Sequence, residues 1–208
     1  MKLYHCFNSR SLRPLWCLEE MGLEYELEVM PFPPRSEREG YLDINPLGTV
    51  PTFIDGNRTL TESTGICQYL VEQYGPTTLD IRQDEKDYGD YINWLYRSDA
   101  TFTFPLALVL RYTRLEPEDR KNPQTVEDYT IWFYSRIRAV EAALQNKEFL
   151  VGGRFTIADI AVGYALHFGK RLGLSERYKP NTARYLEALM SRRAFQKTQQ
   201  IKCAKRIL

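Results

Sequence analysis

The stretch from Asn45 to Gly75 narrows the choice of fold more than any other part of the chain. It opens Asn45-Pro46-Leu47-Gly48-Thr49-Val50-Pro51 and continues through Thr52-Phe53-Ile54, Asp55-Gly56-Asn57 and Arg58-Thr59-Leu60 to Thr61-Glu62-Ser63. Pro51 has no N–H, so Val50-Pro51 joins a strand where the chain must turn, and such a bond is among the few that adopt the cis form. A turn there faces the polar groups of Val50 outward, free to pair with something extended. The two short apolar runs around Asp55-Gly56-Asn57 are a hairpin signal. Thr61, Glu62 and Ser63 then open a helix carrying Ile66, Tyr69 and Leu70, with Gly75 as its stop. A helix start has unpaired N–H groups and a partial positive charge, so it receives a carboxylate readily. The plainer alternative is that Thr61 and Ser63 cap the helix and Pro51 bends a strand.

The residues before this stretch read as strand, helix, strand. Lys2 to Cys6 is a strand and Asn8-Ser9-Arg10-Ser11 a polar turn. Leu12, Leu15, Trp16, Leu18 and Met21 recur at helical spacing, with Pro14 in the first turn and Gly22 at the stop. Leu23 to Met30 is a second strand, so a right-handed βαβ unit with parallel strands is expected. A short helix is expected over Glu37 to Ile44. With the hairpin, this makes a four-stranded mixed sheet flanked by helices.

Beyond Pro76 the strand signals vanish. Helical patterns run from Asp84 to about Arg114 and from Val126 to Leu144. Thr156 with Asp159 three residues on reads as a capping box, and Phe155 with Ile160 as a hydrophobic staple, before an apolar, central helix. Glu176–Met190 and Ala194–Ile201 read as closing helices. The fold class is therefore α/β plus all-α: an N-terminal sheet domain over 1–76, a linker over 77–83 and a helical domain over 84–208.

Twenty-eight Lys and Arg against 27 Asp and Glu leave a formal charge of +1, which disfavours nucleic acid or an anionic membrane as the main partner. The basic end from Arg192 reads as a solvated tail. No apolar run has the length of a membrane span, and the N-terminus has no signal-peptide pattern, so a cytoplasmic protein is expected. Cys6, Cys17, Cys67 and Cys203 show no paired spacing, and two distant His add no metal pattern. Reduced thiols and no metal are the expectation.

The combination N-P-L-G-x-V-P, short hairpin and T-E-S at a helix start resembles the glutathione-binding half of the soluble glutathione transferases, which is thioredoxin-like. Gly152-Gly153 ahead of the capping box matches the all-helical half of the same family, where the motif is structural. The resemblance implies glutathione as co-substrate and a homodimer. Val50 would pair its backbone with the cysteinyl unit beside cis-Pro51, while Glu62 and Ser63 would hold the amine and carboxylate of the γ-glutamyl end. The family's chemistry ionises the glutathione thiol, whose free pKa is about 8.5, each unit of depression being worth about 1.4 kcal/mol.

Serine-type members of that family place the activating hydroxyl four residues before a helical arginine, the spacing of Ser9 to Arg13. Alignment with bacterial cysteine-type members instead puts Arg10 at their cysteine, with Ser11 beside it. Ser9 and Ser11 are thus both candidates, with Ser9 favoured. Arg10 is placed to help by charge, against the ordinary reading of a solvated turn arginine. Tyr4 reads as core. Cys6 makes a formal C-x-x-S pattern suited to thiol exchange, but a buried, inert thiol is the favoured reading. His5 either points into the site mouth or is structural. Phe32, Tyr96, Phe102 and Tyr112, with Phe104, Leu108 and Phe168, are candidates to line an apolar electrophile cleft between the domains, although aromatic residues at helical spacing are more often core. The function expected is glutathione transfer to an apolar electrophile. Its alternatives are a glutathione-dependent isomerase or disulfide reductase, and a non-catalytic binding or interaction module.

Overall fold

The computed structural model describes residues 1–201. Strand β1 (Lys2–His5) leads through a six-residue turn into helix α1 (Leu12–Met21), and strand β2 (Glu26–Val29) follows. β2 lies parallel to β1 with Lys2 opposite Glu26, completing the expected βαβ unit. Strands β3 (Thr52–Asp55) and β4 (Arg58–Leu60) form the hairpin, and the sheet order is β2-β1-β3-β4. Helix α4 (Ser63–Gln73) packs against α1. Leu3, Leu15, Trp16, Leu18, Phe53, Ile66 and Leu70 are buried in this unit, each contributing about 1.5–3 kcal/mol on burial.

The single helix expected over Glu37–Ile44 is two short helices, α2 (Pro34–Glu37) and α3 (Tyr41–Ile44). Gly40 stands between them with φ 70, a conformation that ends one helix and cannot sit inside another. Further on, helical turns from Tyr88 are not uniform. α5 (Tyr88–Tyr96) and α6 (Phe104–Leu110) are separated by a π-helical stretch, Arg97–Thr103, and a second one, Arg111–Leu115, follows α6. Hydroxyls take up carbonyls of these wider turns: Thr103 donates to the Ser98 C=O at 2.6 Å and Thr113 to the Val109 C=O at 2.6 Å.

α7 (Pro123–Ala143) is capped by Asn122, which accepts from the Thr125 N–H at 3.0 Å. α8 (Ile157–Arg171) is buried from Ile157 to Gly169, the central helix the sequence implied. Its capping box is present, and buried Asp159 does more than cap. It accepts from the Thr156 N–H (2.8 Å), the Leu150 N–H (3.0 Å) and the Tyr185 hydroxyl (2.8 Å). Burial pushes its carboxyl up to about 6 against these bonds. Tyr185 belongs to α9 (Pro180–Met190), so one carboxylate ties three segments of the helical unit together.

The chain forms two units, Met1–Asp80 with the described residues from Met190 on, and Ile81–Leu189. The last helix, α10 (Arg193–Gln199), therefore belongs with the sheet unit, where the sequence placed it in the helical one. The Phe195 ring meets Trp16 edge-on at 5.0 Å, and Arg192 and Lys197 pair with Glu20 and Glu19 of α1. Leu79 and Ile81 are buried, so the expected linker is packed. Among the described residues no helix is long and apolar enough to cross a membrane. Cys203 and the end of the basic tail lie outside the described residues.

Candidate active site

Three segments of the sheet unit converge. The register Tyr4 opposite Thr52 in the antiparallel pair β1–β3 sets the end of β1, and the turn after it, beside Val50-Pro51. Buried Arg13 in the first turn of α1 donates from Nη1 to the Ser63 hydroxyl at 2.9 Å, bringing the start of α4 to the same edge.

The Val50-Pro51 bond is cis. Among the described residues nothing hydrogen-bonds to the Val50 N–H or C=O, so its backbone presents the donor and acceptor of an unpaired strand position. The loop ahead of it is held from below. The Tyr41 hydroxyl donates to the Thr49 C=O at 2.7 Å and bonds the Thr52 hydroxyl at 2.7 Å, and Asn45 donates to the same two groups at 2.9 and 3.0 Å. Gly48 has φ 61, and a Cβ there would lie 2.8 Å from the Arg35 Cβ, so only glycine fits. The sequence reading missed Tyr41 and Thr52; the polar Asn45 ahead of Pro46 was the available signal.

Glu62 stands at the N-cap of α4 with extended backbone, exposed and without a side-chain cap. The plainer alternative, hydroxyl capping by Thr61 and Ser63, is not what the structure holds. The Ser63 hydroxyl is buried and spent on Arg13, leaving its O–H and the first helical N–H groups as donors.

The two serines of the turn differ sharply. Ser11 is fully buried: its Oγ accepts from the Cys6 N–H at 3.2 Å, lies 2.7 Å from His5 Nδ1 and 2.7 Å from the Ser9 hydroxyl. Ser9 keeps exposed surface, and its O–H reaches the Cys6 C=O at 2.8 Å. Arg10 is half-buried between them. His5 is 1% exposed, and burial holds its imidazole down to about 4. It is thus neutral and interior, and does not line the mouth of the site. Cys6 is 1% exposed with its thiol on the Pro31 C=O at 3.4 Å, the inert reading. Tyr4 is core, packed against Tyr41 at 5.8 Å.

The electrophile candidates divide. Phe102 and Phe168 are core, packed on Trp94 (6.3 Å) and Tyr164 (6.0 Å), and their rings are not available as lining. Phe32 is half-buried against Tyr4, Cys6, Met30 and Tyr41. Tyr96 is 68% exposed, and Tyr112 is half-buried beside the Arg111 guanidinium at 5.8 Å.

The family models for the glutathione S-transferase N-terminal and C-terminal domains match residues 9–73 and 133–193. Glutathione S-transferase F13 of Arabidopsis thaliana is 30% identical over 206 residues, covering 95% of this chain and 94% of that protein. Glutathione S-transferase 3 of Schizosaccharomyces pombe is 25% identical over 92% of this chain and 84% of its own length. In three dimensions, the glutathione transferase URE2P6 from Phanerochaete chrysosporium, solved in complex with oxidized glutathione, matches with a TM-score of 0.84 at 26% identity, covering 96% of this chain and 94% of that one.

Proposed function

Since this chain belongs to the glutathione S-transferase family, we propose that it is a serine-type transferase in which the Ser9 hydroxyl stabilises the glutathione thiolate for attack on an apolar electrophile. Glutathione is its co-substrate. The observation that carries the serine assignment is the contrast in the turn: Ser11 is fully buried and committed inside, while Ser9 keeps exposed surface in the turn that follows β1.

In this reading the extended cysteinyl unit pairs with Val50 next to cis-Pro51, and the γ-glutamyl carboxylate meets the uncapped start of α4 at Ser63. Glu62 takes the amine, and Arg10 adds positive charge at the thiolate. A hydroxyl donating to a sulfur anion favours ionisation because the neutral thiol accepts poorly. The thiol proton leaves to solvent, and a sulfur lone pair then forms the new S–C bond while the electrophile's leaving group departs with its bonding pair or, in an addition, while its π pair moves to the neighbouring atom and takes up a proton from solvent. Burial of Cys6 supports transfer over thiol–disulfide exchange at this position. Within the helical unit Tyr96 and Tyr112 keep exposed surface and Phe102 does not. The reading includes a cytoplasmic homodimer with a detoxifying role, tested by its mass in solution, its place in fractionated cells and the sensitivity of a deletion strain to electrophiles.

The test of the chemistry is the ultraviolet thiolate absorbance of bound glutathione against pH. One hydrogen bond to a charged group is worth about 1.5–3 kcal/mol, so Ser9→Ala should raise the bound thiol pKa by about 1–2 units and lower kcat/KM accordingly. Ser11→Ala should keep the bulk of the depression. A thiolate that survives Ser9→Ala unchanged refutes the assignment.

A further inference from the structure

We infer that His5 and Ser11 are positioning residues for this thiolate, forming a buried hydrogen-bond chain from His5 Nδ1–H to Ser11 Oγ–H to Ser9 Oγ–H that leaves the Ser9 proton facing the glutathione sulfur. The inference deepens the proposed function and rests on it.

A serine hydroxyl has one proton and two lone pairs. At Ser11 Oγ the Cys6 N–H takes one lone pair at 3.2 Å. His5 Nδ1 and Ser9 Oγ, each 2.7 Å away, share what remains, one lone pair and one proton. Two arrangements satisfy both.

When imidazole carries its proton on Nε2, Nδ1 accepts. Ser11 must then donate to His5, and its second lone pair takes the Ser9 proton, turning that proton inward and away from any ligand. When imidazole carries its proton on Nδ1, it donates to Ser11. Ser11 then passes its own proton to Ser9 Oγ, or less well to the Cys6 C=O at 3.3 Å. Ser9 Oγ also receives the Ser11 N–H at 3.3 Å, so both its lone pairs are filled. Its proton has one interior acceptor left, the Cys6 C=O at 2.8 Å, and a thiolate is a stronger acceptor than a carbonyl.

Only the second arrangement makes Ser9 a donor to sulfur, and in it each bond polarises the next. The interior location of His5, 1% exposed, keeps the imidazole neutral and so keeps both tautomers available. No proton is transferred along the chain; its direction alone is set.

The chain contains two histidines, His5 and His167, so the tautomer can be read directly. Nitrogen-15 spectra of ring-labelled histidine are recorded on the glutathione complex, with His5 assigned by its loss in His5→Phe, which keeps a planar aromatic ring and removes both nitrogens. The expected result is a proton on His5 Nδ1. His5→Phe should raise the bound thiol pKa by about 0.3–0.6 units, a two- to four-fold loss of thiolate, for a chain in which each link adds about 10–30% to the next. In the Ser9→Ala background the same change should add nothing. A purely structural His5 would move stability without this dependence on Ser9. A Ser9-dependent thiolate with His5 protonated on Nε2, or with a thiol pKa indifferent to His5→Phe, overturns the chain and leaves the serine assignment standing. A thiolate indifferent to Ser9 overturns both.

Discussion

Replacing each turn serine by alanine should separate the residue that builds the site from the residue that uses it. Ser11→Ala deletes an oxygen with no solvent access that serves the Cys6 N–H, His5 Nδ1 and the Ser9 hydroxyl. Cys6 and His5 are both 1% exposed, so water cannot take over without opening the turn. Leaving a buried polar group unserved costs about 1–3 kcal/mol; with two such groups, less some relaxation, the expected loss is about 2–4 kcal/mol. Ser9 keeps exposed surface, and water replaces its bonds, so Ser9→Ala should cost about 1 kcal/mol or less. For a protein of this size a loss near 3 kcal/mol corresponds to roughly 6–12 °C in Tm. Urea midpoints and calorimetry on the same preparations used for thiolate absorbance would measure both properties at once. Equal stability losses in the two variants, or a larger loss for Ser9→Ala, would refute the division of labour.

Three further outcomes follow from the structure. Ser63→Ala removes the acceptor of the buried Arg13 Nη1 and should cost about 1–3 kcal/mol of stability while weakening glutathione binding; urea denaturation and calorimetric titration check both. Acid should destabilise the fold: unfolded histidine takes up a proton near 6.5, folded His5 and His167 only near 4, so as pH falls between these values the unfolded state binds more protons and each histidine withdraws on the order of 3 kcal/mol. Asp159 acts in the opposite sense, since the folded carboxyl protonates near 6 and the unfolded one near 3.8, so the net loss should approximate one histidine, and His5→Phe should flatten the dependence of the urea midpoint on pH. Tyr185→Phe removes a donor to Asp159 at 2.8 Å; it should push that carboxyl higher still and cost about 1–2 kcal/mol, readable by carboxyl-carbon NMR and thermal melting.

The elements that local chemistry writes were legible. The βαβ unit shows in the spacing of Leu12, Leu15, Trp16 and Leu18 between two extended runs, the hairpin in Asp55-Gly56-Asn57, and the central helix in Thr156 with Asp159. What the sequence hid depends on distant packing or on a single residue of register. A π-helical stretch at Arg97–Thr103 widens the turn and shifts the apolar face by about one residue, and no residue type in Arg97–Thr103 marks where that shift begins. α10 gave no sign of its partner, because the Trp16–Phe195 contact joins opposite ends of the sequence. Phe102 carries the same letters whether it lines a surface or fills a core. Ser9 and Ser11 are both small, polar and two apart, and only the path of the turn buries one and exposes the other. The glutathione contacts expected at Val50, Glu62 and Ser63 came from the motif's likeness to a family, not from periodicity.

The return of α10 to α1 has a consequence during synthesis. Residues 1–80 of the sheet unit leave the ribosome before the helical unit, and the ring that covers Trp16 and the cations that pair with Glu19 and Glu20 follow only after it. At about 5–20 residues per second, the intervening helical unit takes on the order of ten seconds to appear. For that interval the nascent sheet unit carries an uncovered tryptophan face, and the helical unit, complete by Leu189, is free to fold ahead of the unit that precedes it in the chain.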